Sequence, residues 1–180
     1  EAISALPAAV ARSPWSGRGL IFTLHHVRPP DSNQFQPNTL LSITPEFLDS
    51  ALKAALESGL TPVRLEDIPA LESQDEVGRF FAVTLDDGYR DNAEHAAPIF
   101  RRYGVPYTIF ATSGFVQRSC APWWETAEHL LRQCQKLRID LGRGQETSVV
   151  STNRKKVALF GRLADFIDTY DEDVAVGRIV

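Results

Sequence analysis

The chain has 180 residues, 43% hydrophobic and 23% charged, which is the ordinary composition of a globular domain with a real core. The formal net charge of −4 argues against a nucleic-acid partner, because such proteins carry a basic surface. No apolar run approaches the roughly 20 residues of a membrane-spanning helix, and two cysteines are too few for a disulfide framework.

The first part of the chain predicts a leader followed by a strand. Residues 1–19 are rich in Ala, Pro, Ser and Gly and predict a loosely docked leader. Residues 20–24 form a short apolar run of strand-like composition that ends at His25 and His26. Because neighbouring strand residues point to opposite faces, we expect these two histidines to have different surroundings.

The next stretch predicts a helix and two further strands. Thr44 is a suitable N-cap, Pro45 suits the first helical position, and apolar residues recur at helical spacing until Gly59. Residues 60–65 and 80–85 predict strands, and the second of them is apolar apart from Thr84.

A helix over residues 92–103 and a strand over residues 105–112 follow, with a predicted helical core face of Ala93, Ala96, Ala97 and Phe100. Strands that are apolar on both faces and alternate with helices indicate an α/β fold with a parallel sheet or barrel.

The alternation of apolar strands with helices ends after residue 118. Residues 123–136 predict a helix, residues 137–141 and 145–151 a hairpin, and a last long helix begins after Ser151 or Thr152 as its cap. We expect this helix, hairpin and helix to form an insertion in the α/β fold. Cys120 and Cys134 are expected to be free thiols, with a single bridge between them as the alternative.

Asp86 and Asp87 are the strongest candidates for a functional site. They follow a buried strand, at the edge where α/β proteins place their active sites. Asp-Gly is also typical of a plain turn, which is the alternative. Two adjacent carboxylates repel, however, and keeping both beside an apolar strand is costly without a cation or proton to share.

The residues around this pair resemble a known motif. Residues 81–92, from Phe-Ala-Val-Thr-Leu-Asp-Asp-Gly-Tyr to Arg-Asp-Asn, are similar to the first motif of the polysaccharide deacetylases, the NodB-like enzymes of carbohydrate esterase family 4. Leu85 stands where the family usually has Phe. The similarity continues through residues 97–110 and reaches back to residues 24–27, which resemble the Tyr-His-x-Val opening of one branch; in all it covers about residues 20–118.

The resemblance implies roles for individual residues. By position, Asp86 would be the general base and Asp87 a ligand of a divalent metal, most simply Zn²⁺. His25 matches the family's pocket histidine and Tyr89 would line the pocket mouth, while a satisfied structural histidine remains an equal alternative for His25. Trp124, after Trp123, is a candidate platform for a sugar ring, with core packing as the alternative.

The resemblance is incomplete. The remaining metal ligands of the family come from a His-Ser/Thr-x-x-His motif, and none of the four histidines has that spacing. Because catalytic zinc sites use three protein ligands, we expect either a chain cut before its second motif, which we prefer, or an inactive one.

The predicted fold is the N-terminal half of the family's distorted (β/α) barrel over residues 20–118, with residues 119–180 as an insertion. The predicted function is a hydrolase of carbon–nitrogen bonds that removes N-acetyl (or O-acetyl) groups from a polysaccharide or oligosaccharide. A NodB-like amidohydrolase of small cyclic amides and an inactive carbohydrate-binding protein are the alternatives, and both cell envelope and cytoplasm remain open as its location.

Overall fold

A computed structural model describes residues 19–72, 79–170 and Ala175. Most of the predicted leader, residues 1–18, lies outside the described residues. The chain divides into two compact units, the first made of residues 1–28 and 43–110 and the second of residues 29–42 and 111–180. The elements are, in chain order, β1 (Gly19–Leu24), β2 (His26–Val27), β3 (Ser42–Ile43), α1 (Pro45–Glu57), β4 (Thr61–Pro62), α2 (Ile68–Glu72), β5 (Phe80–Asp86), α3 (Ala97–Tyr103), β6 (Thr108–Phe110), α4 (Ser113–Gln117), α5 (Trp123–Gln133), β7 (Lys136–Asp140), β8 (Gln145–Val149) and α6 (Asn153–Thr169).

The first unit is built on a parallel sheet centred on β5, so the predicted α/β class is confirmed. Strand β1 pairs with β5 along its whole length, from Gly19 opposite Phe80 to Leu24 opposite Leu85. Strand β4 pairs with the start of β5 and β6 with its end. Since β1 already occupies one edge of β5, β4 and β6 share the other edge.

Helix α1 begins and ends as its sequence predicts. The Thr44 hydroxyl accepts a hydrogen bond from the Phe47 N–H (3.1 Å), and Pro45 is the first helical residue. After Ser58 the chain leaves the helix through Gly59 at φ +83°, a conformation that glycine adopts without steric cost. Leu48, Leu52 and Ala55 pack into the core of the unit together with β5.

The helix predicted over residues 92–103 has two parts. It starts with a π-helical turn at Asn92–Ala96 and continues as α3 to Tyr103, before Gly104 at φ +64°. The buried residues of this helix are Asn92, Ala96, Ile99 and Phe100. The prediction that Ala93 is a core residue was therefore wrong, since Ala93 is exposed.

Two predicted strands are shorter than expected. Residues 60–65 form only β4, because a 3₁₀ turn begins at Leu65. Residues 105–112 form only β6. The Val105 N–H bonds to the Phe100 carbonyl at the end of α3, and Pro106 cannot donate.

The second unit contains the predicted helix, hairpin and helix. Strands β7 and β8 are antiparallel, and Thr152 caps α6 by accepting the Lys155 N–H (3.3 Å). Helix α4 was not predicted. The buried core comes from α5, the hairpin, α6 and two residues outside these elements, Phe35 and Val150; its other members are Ala127, Leu131, Ile139, Leu159 and Leu163.

Cys120 and Cys134 are both free, as expected. None of the helices in the described part of the chain combines the length and the apolar character that a membrane span requires. The predicted division of the chain at residues 118 and 119 stays a prediction; the two compact units divide at residues 110 and 111 and place residues 29–42 in the second.

Candidate active site

Asp86 and Asp87 lie where β5 ends, and the backbone there is unusual. Asp86 is the last residue of β5, and Asp87 has φ +68°, followed by Gly88 at φ +70°. The Gly88 N–H bonds back to the Asp86 carbonyl (2.9 Å), which closes a tight turn. A non-glycine residue at positive φ costs free energy and is found most often at functional sites. The positive φ of Asp87 is therefore a second indication of a functional site, in addition to the two adjacent carboxylates.

His25 lies beside Asp86 because of the strand register. Leu24 and Leu85 are the last paired residues of β1 and β5, so the next residue of each strand emerges at the same edge of the sheet. The His25 Nε2 atom lies 3.8 Å from the Asp86 Oδ2 atom, and about a third of each side chain is exposed (32% and 33%). The His25 ring and the Asp86 carboxylate are thus neighbours, and both are accessible to solvent.

His26 has a different environment, as the alternation of strand residues predicts. It is only 3% exposed, and its Nδ1 atom lies 2.7 Å from the Asp91 Oδ2 atom. The Tyr89 ring stacks on the His26 ring with a centroid separation of 3.6 Å. His26 is therefore the structural histidine of the pair, and Tyr89 lies next to it and two residues after Asp87.

Two polar residues of the motif contact the segment that carries the histidines. The Asp91 Oδ1 atom accepts the Val27 N–H (3.1 Å). The Asn92 amide donates to the His25 carbonyl (2.7 Å) and to the Asp91 Oδ1 atom (3.0 Å), and Asn92 is only 2% exposed. No role was predicted for either residue. A polar pair at the end of the motif, at the start of an otherwise apolar helix face, was the available signal.

Trp124 belongs to the second unit. It is half-buried at the start of α5, with edge contacts to the Phe115 ring (6.1 Å between centroids) and the Trp123 ring (6.0 Å). Trp123 also packs against the core of that unit. The role of Trp124 as a sugar platform stays a prediction.

The donor atoms near Asp87 do not make a complete metal site. Over residues 19–72 and 79–170, no group of three His, Cys, Asp or Glu side chains is placed to hold a metal ion. A catalytic zinc needs three protein ligands. The described residues therefore supply at most part of a ligand set.

Comparison with known proteins identifies the family motif. Residues 73–142 match the family model of polysaccharide deacetylase. The match includes Asp86 and Asp87 and runs past residue 119, where the insertion was predicted to begin. The resemblance predicted from the sequence is thereby confirmed. No curated protein sequence matches the chain significantly.

Several solved structures are similar to parts of the chain. A de-N-acetylase from Aggregatibacter actinomycetemcomitans has 16% identity over 81% of this chain and 51% of its own (TM-score 0.45). IcaB from Ammonifex degensii has 19% identity over 52% and 37% (TM-score 0.44). The Streptococcus pyogenes deacetylase PplD in complex with acetate has 22% identity over 57% and 45% (TM-score 0.43). The chain thus spans between 37% and 51% of the length of these three proteins.

Proposed function

Because residues 73–142 carry polysaccharide deacetylase sequence, we propose that the chain forms part of a metal-dependent hydrolase that removes N-acetyl groups from a polysaccharide. One observation carries the proposal. Two adjacent aspartates lie at the carboxyl end of a buried parallel strand, and the second has a positive φ inside the matched family segment. O-acetyl groups are the less favoured substrate.

We assign the general base to Asp86. Its carboxylate is about one third exposed, so water reaches it. In the reaction a water oxygen bonds to the acetamide carbon while Asp86 accepts a proton from that water. The carbon–nitrogen bond then breaks, acetate leaves, and the sugar nitrogen takes up the proton that Asp86 accepted, which gives the free amine. His25, 3.8 Å from Asp86, is assigned to contact with the substrate, and Tyr89 to the pocket mouth.

Asp87 is proposed as one ligand of a divalent metal, most simply Zn²⁺. A bound metal supplies Lewis acidity toward the carbonyl and makes water more acidic. Because the described residues do not complete its ligand set, the other ligands are expected elsewhere in the full-length protein. In the same way, the sheet of the first unit is proposed to be part of the family's barrel. In support, Leu20 and Ile21 on β1 and Phe110 on β6 are exposed apolar residues of its outer strands.

The test uses isosteric variants of the full-length protein. Asp87→Asn is expected to lower bound zinc, measured by elemental analysis, at least about tenfold, as removal of a charged ligand should. Asp86→Asn should keep the metal but lower acetate release from N-acetylglucosamine oligosaccharides at least about a hundredfold, the lower end of the range for general base catalysis. Asp67→Asn, at an exposed aspartate of the same unit, is the matched control.

Metal content and activity that survive Asp87→Asn would refute the assignment. Two alternatives give distinct results. An inactive carbohydrate-binding protein would bind the oligosaccharide without releasing acetate in the wild type. An amidohydrolase of small cyclic amides would open a cyclic ureide such as allantoin and leave the oligosaccharide unchanged.

A further inference from the structure

Two side chains after the aspartate pair hold the segment that carries His25. Asp91 contacts the His26 ring (2.7 Å) and the Val27 N–H (3.1 Å) through its two oxygens. Asn92 donates to the His25 carbonyl (2.7 Å) and to Asp91 (3.0 Å). Three consecutive residues, 25–27, are therefore fixed by two consecutive residues of the neighbouring element. We call these two residues the Asp91–Asn92 clamp.

The clamp acts where the sheet no longer fixes the chain. The ladder between β1 and β5 ends at Leu24 and Leu85, and the backbone bends at His25 before β2 begins. The hydrogen bond from Asn92 to the His25 carbonyl thus holds the backbone one residue beyond the last paired residue of β1. The His25 side chain, 3.8 Å from Asp86, depends on this backbone position.

We propose that Asp91 and Asn92 are positioning residues that hold His25 against Asp86. This inference rests on the proposed function, in which Asp86 and His25 face the substrate. The clamp does not touch the reacting atoms; it acts through the backbone of residues 25–27. Displacement of an active-site group by about 1 Å can cost up to a hundredfold in rate. Loss of the clamp should therefore lower kcat.

Burial explains how the clamp is built. Asn92 is 2% exposed, and its Oδ1 atom has no hydrogen-bond partner among the described residues. The amide is therefore held by its two donated bonds alone. In Asn92→Asp the side chain keeps its size but can no longer donate, and its charge repels both the His25 carbonyl and Asp91. This variant releases the clamp with no change in packing volume.

The second unit offers a matched control. Asn38 is also buried, at 6% exposure, and its amide likewise donates to one backbone carbonyl, Trp124 (3.0 Å), and to one carboxylate, Glu128 (2.6 Å). Asn38→Asp therefore imposes a similar loss of buried hydrogen bonds away from residues 25–27. Both variants of the full-length protein are assayed with N-acetylglucosamine oligosaccharides and added Zn²⁺.

The expected result separates positioning from stability. Both variants should lower Tm, but Asn92→Asp should lower kcat about tenfold or more at little changed KM. Asn38→Asp should keep kcat within about twofold of wild type. Equal kcat in the two variants at equal loss of Tm would overturn the proposal. If Asn92→Asp does not fold, Asp91→Ala decides by the same kcat criterion, because it removes both oxygens that contact the Val27 N–H and the His26 ring.

A second readout does not depend on activity. The imidazole ¹³C–¹H NMR signals of His25 should shift in Asn92→Asp and stay in place in Asn38→Asp. An unchanged His25 signal in Asn92→Asp would refute the clamp even if the wild type releases acetate. A shifted His25 signal together with an inactive wild type would refute the proposed function and leave the clamp in place.

Discussion

At the scale of single residues, Asp87 combines an ionisable side chain with an unfavourable backbone. Its φ of +68° lies in the left-handed region, which costs an L-residue about 1–2 kcal/mol. Asp is among the residues that tolerate this region best, because its short polar side chain can bond locally. The turn and the carboxylate are thus compatible, and neither a β-branched residue nor a bulky one would suit the position.

Substitutions of Asp87 should separate its backbone role from its side chain. Asp87→Gly and Asp87→Ala both remove the carboxylate, so both should be inactive. Alanine still has the Cβ that disfavours positive φ, so Asp87→Ala should be less stable than Asp87→Gly by about 1 kcal/mol. Chemical denaturation measures the difference. If the two variants unfold at the same denaturant concentration, the left-handed conformation of Asp87 is not maintained in solution.

The adjacent histidines show how far sequence reasoning reaches at this scale. The two histidines were predicted to have different surroundings, and they do: His25 is half-buried beside Asp86, and His26 is 3% exposed against Asp91. Alternation alone could not tell which histidine faces the aspartate; the family resemblance supplied that. The clamp residues were missed because a contact over 64 residues of chain leaves no local pattern.

At the scale of elements, the sequence correctly predicted the features that depend only on neighbouring residues. The cap at Thr44 and the apolar run of β5 need only neighbouring residues, and both were found where predicted. The lengths of β4 and β6 depend instead on how much of β5 remains unpaired. The π-helical turn at Asn92–Ala96 also escaped prediction, since a single wider turn shifts the buried face without a change in composition.

The N-cap of α1 is directly testable. Thr44→Ala removes the acceptor of the Phe47 N–H, so the free energy of unfolding should fall by about 1 kcal/mol. Thr169→Ala is the control, because its hydroxyl donates to the Asp165 carbonyl in the last turn of α6, where its loss should cost less than about 0.5 kcal/mol. Urea unfolding measures both. Equal effects of the two substitutions would contradict the cap.

At the scale of the whole molecule, neither compact unit is built from one continuous stretch of chain. Residues 29–42 lie between parts of the first unit in the chain but belong to the second. Arg132 of α5 holds this segment: it bonds to Asp31 (2.6 Å), to the Phe35 carbonyl (3.2 Å) and to Glu128. Phe35 itself is 1% exposed in the core of the second unit. Composition gave no hint of this assignment.

Removal of Arg132 should therefore have a large effect. Arg132→Ala leaves Glu128, which is 8% exposed, without its cationic partner, and an uncompensated buried charge costs about 3 kcal/mol. Arg102→Ala is the control, because its pair with Asp49 is solvent-exposed and worth less than about 1 kcal/mol. Urea unfolding compares the two, and limited proteolysis should show new cleavage within residues 29–42 only in Arg132→Ala. Similar losses would refute the role of Arg132.

The register of β1 with β5 has a consequence for synthesis of the protein on the ribosome. Each residue of β1 pairs with one 61 positions later, as Gly19 does with Phe80. At roughly 5–20 residues per second, β1 waits about 3–12 seconds for its partner to be made. Leu20, Ile21 and Phe22, all apolar, are unpaired during that interval. We therefore expect the nascent chain to bind chaperones that recognise short apolar segments, and slow translation between residues 25 and 80 would prolong its exposure to aggregation.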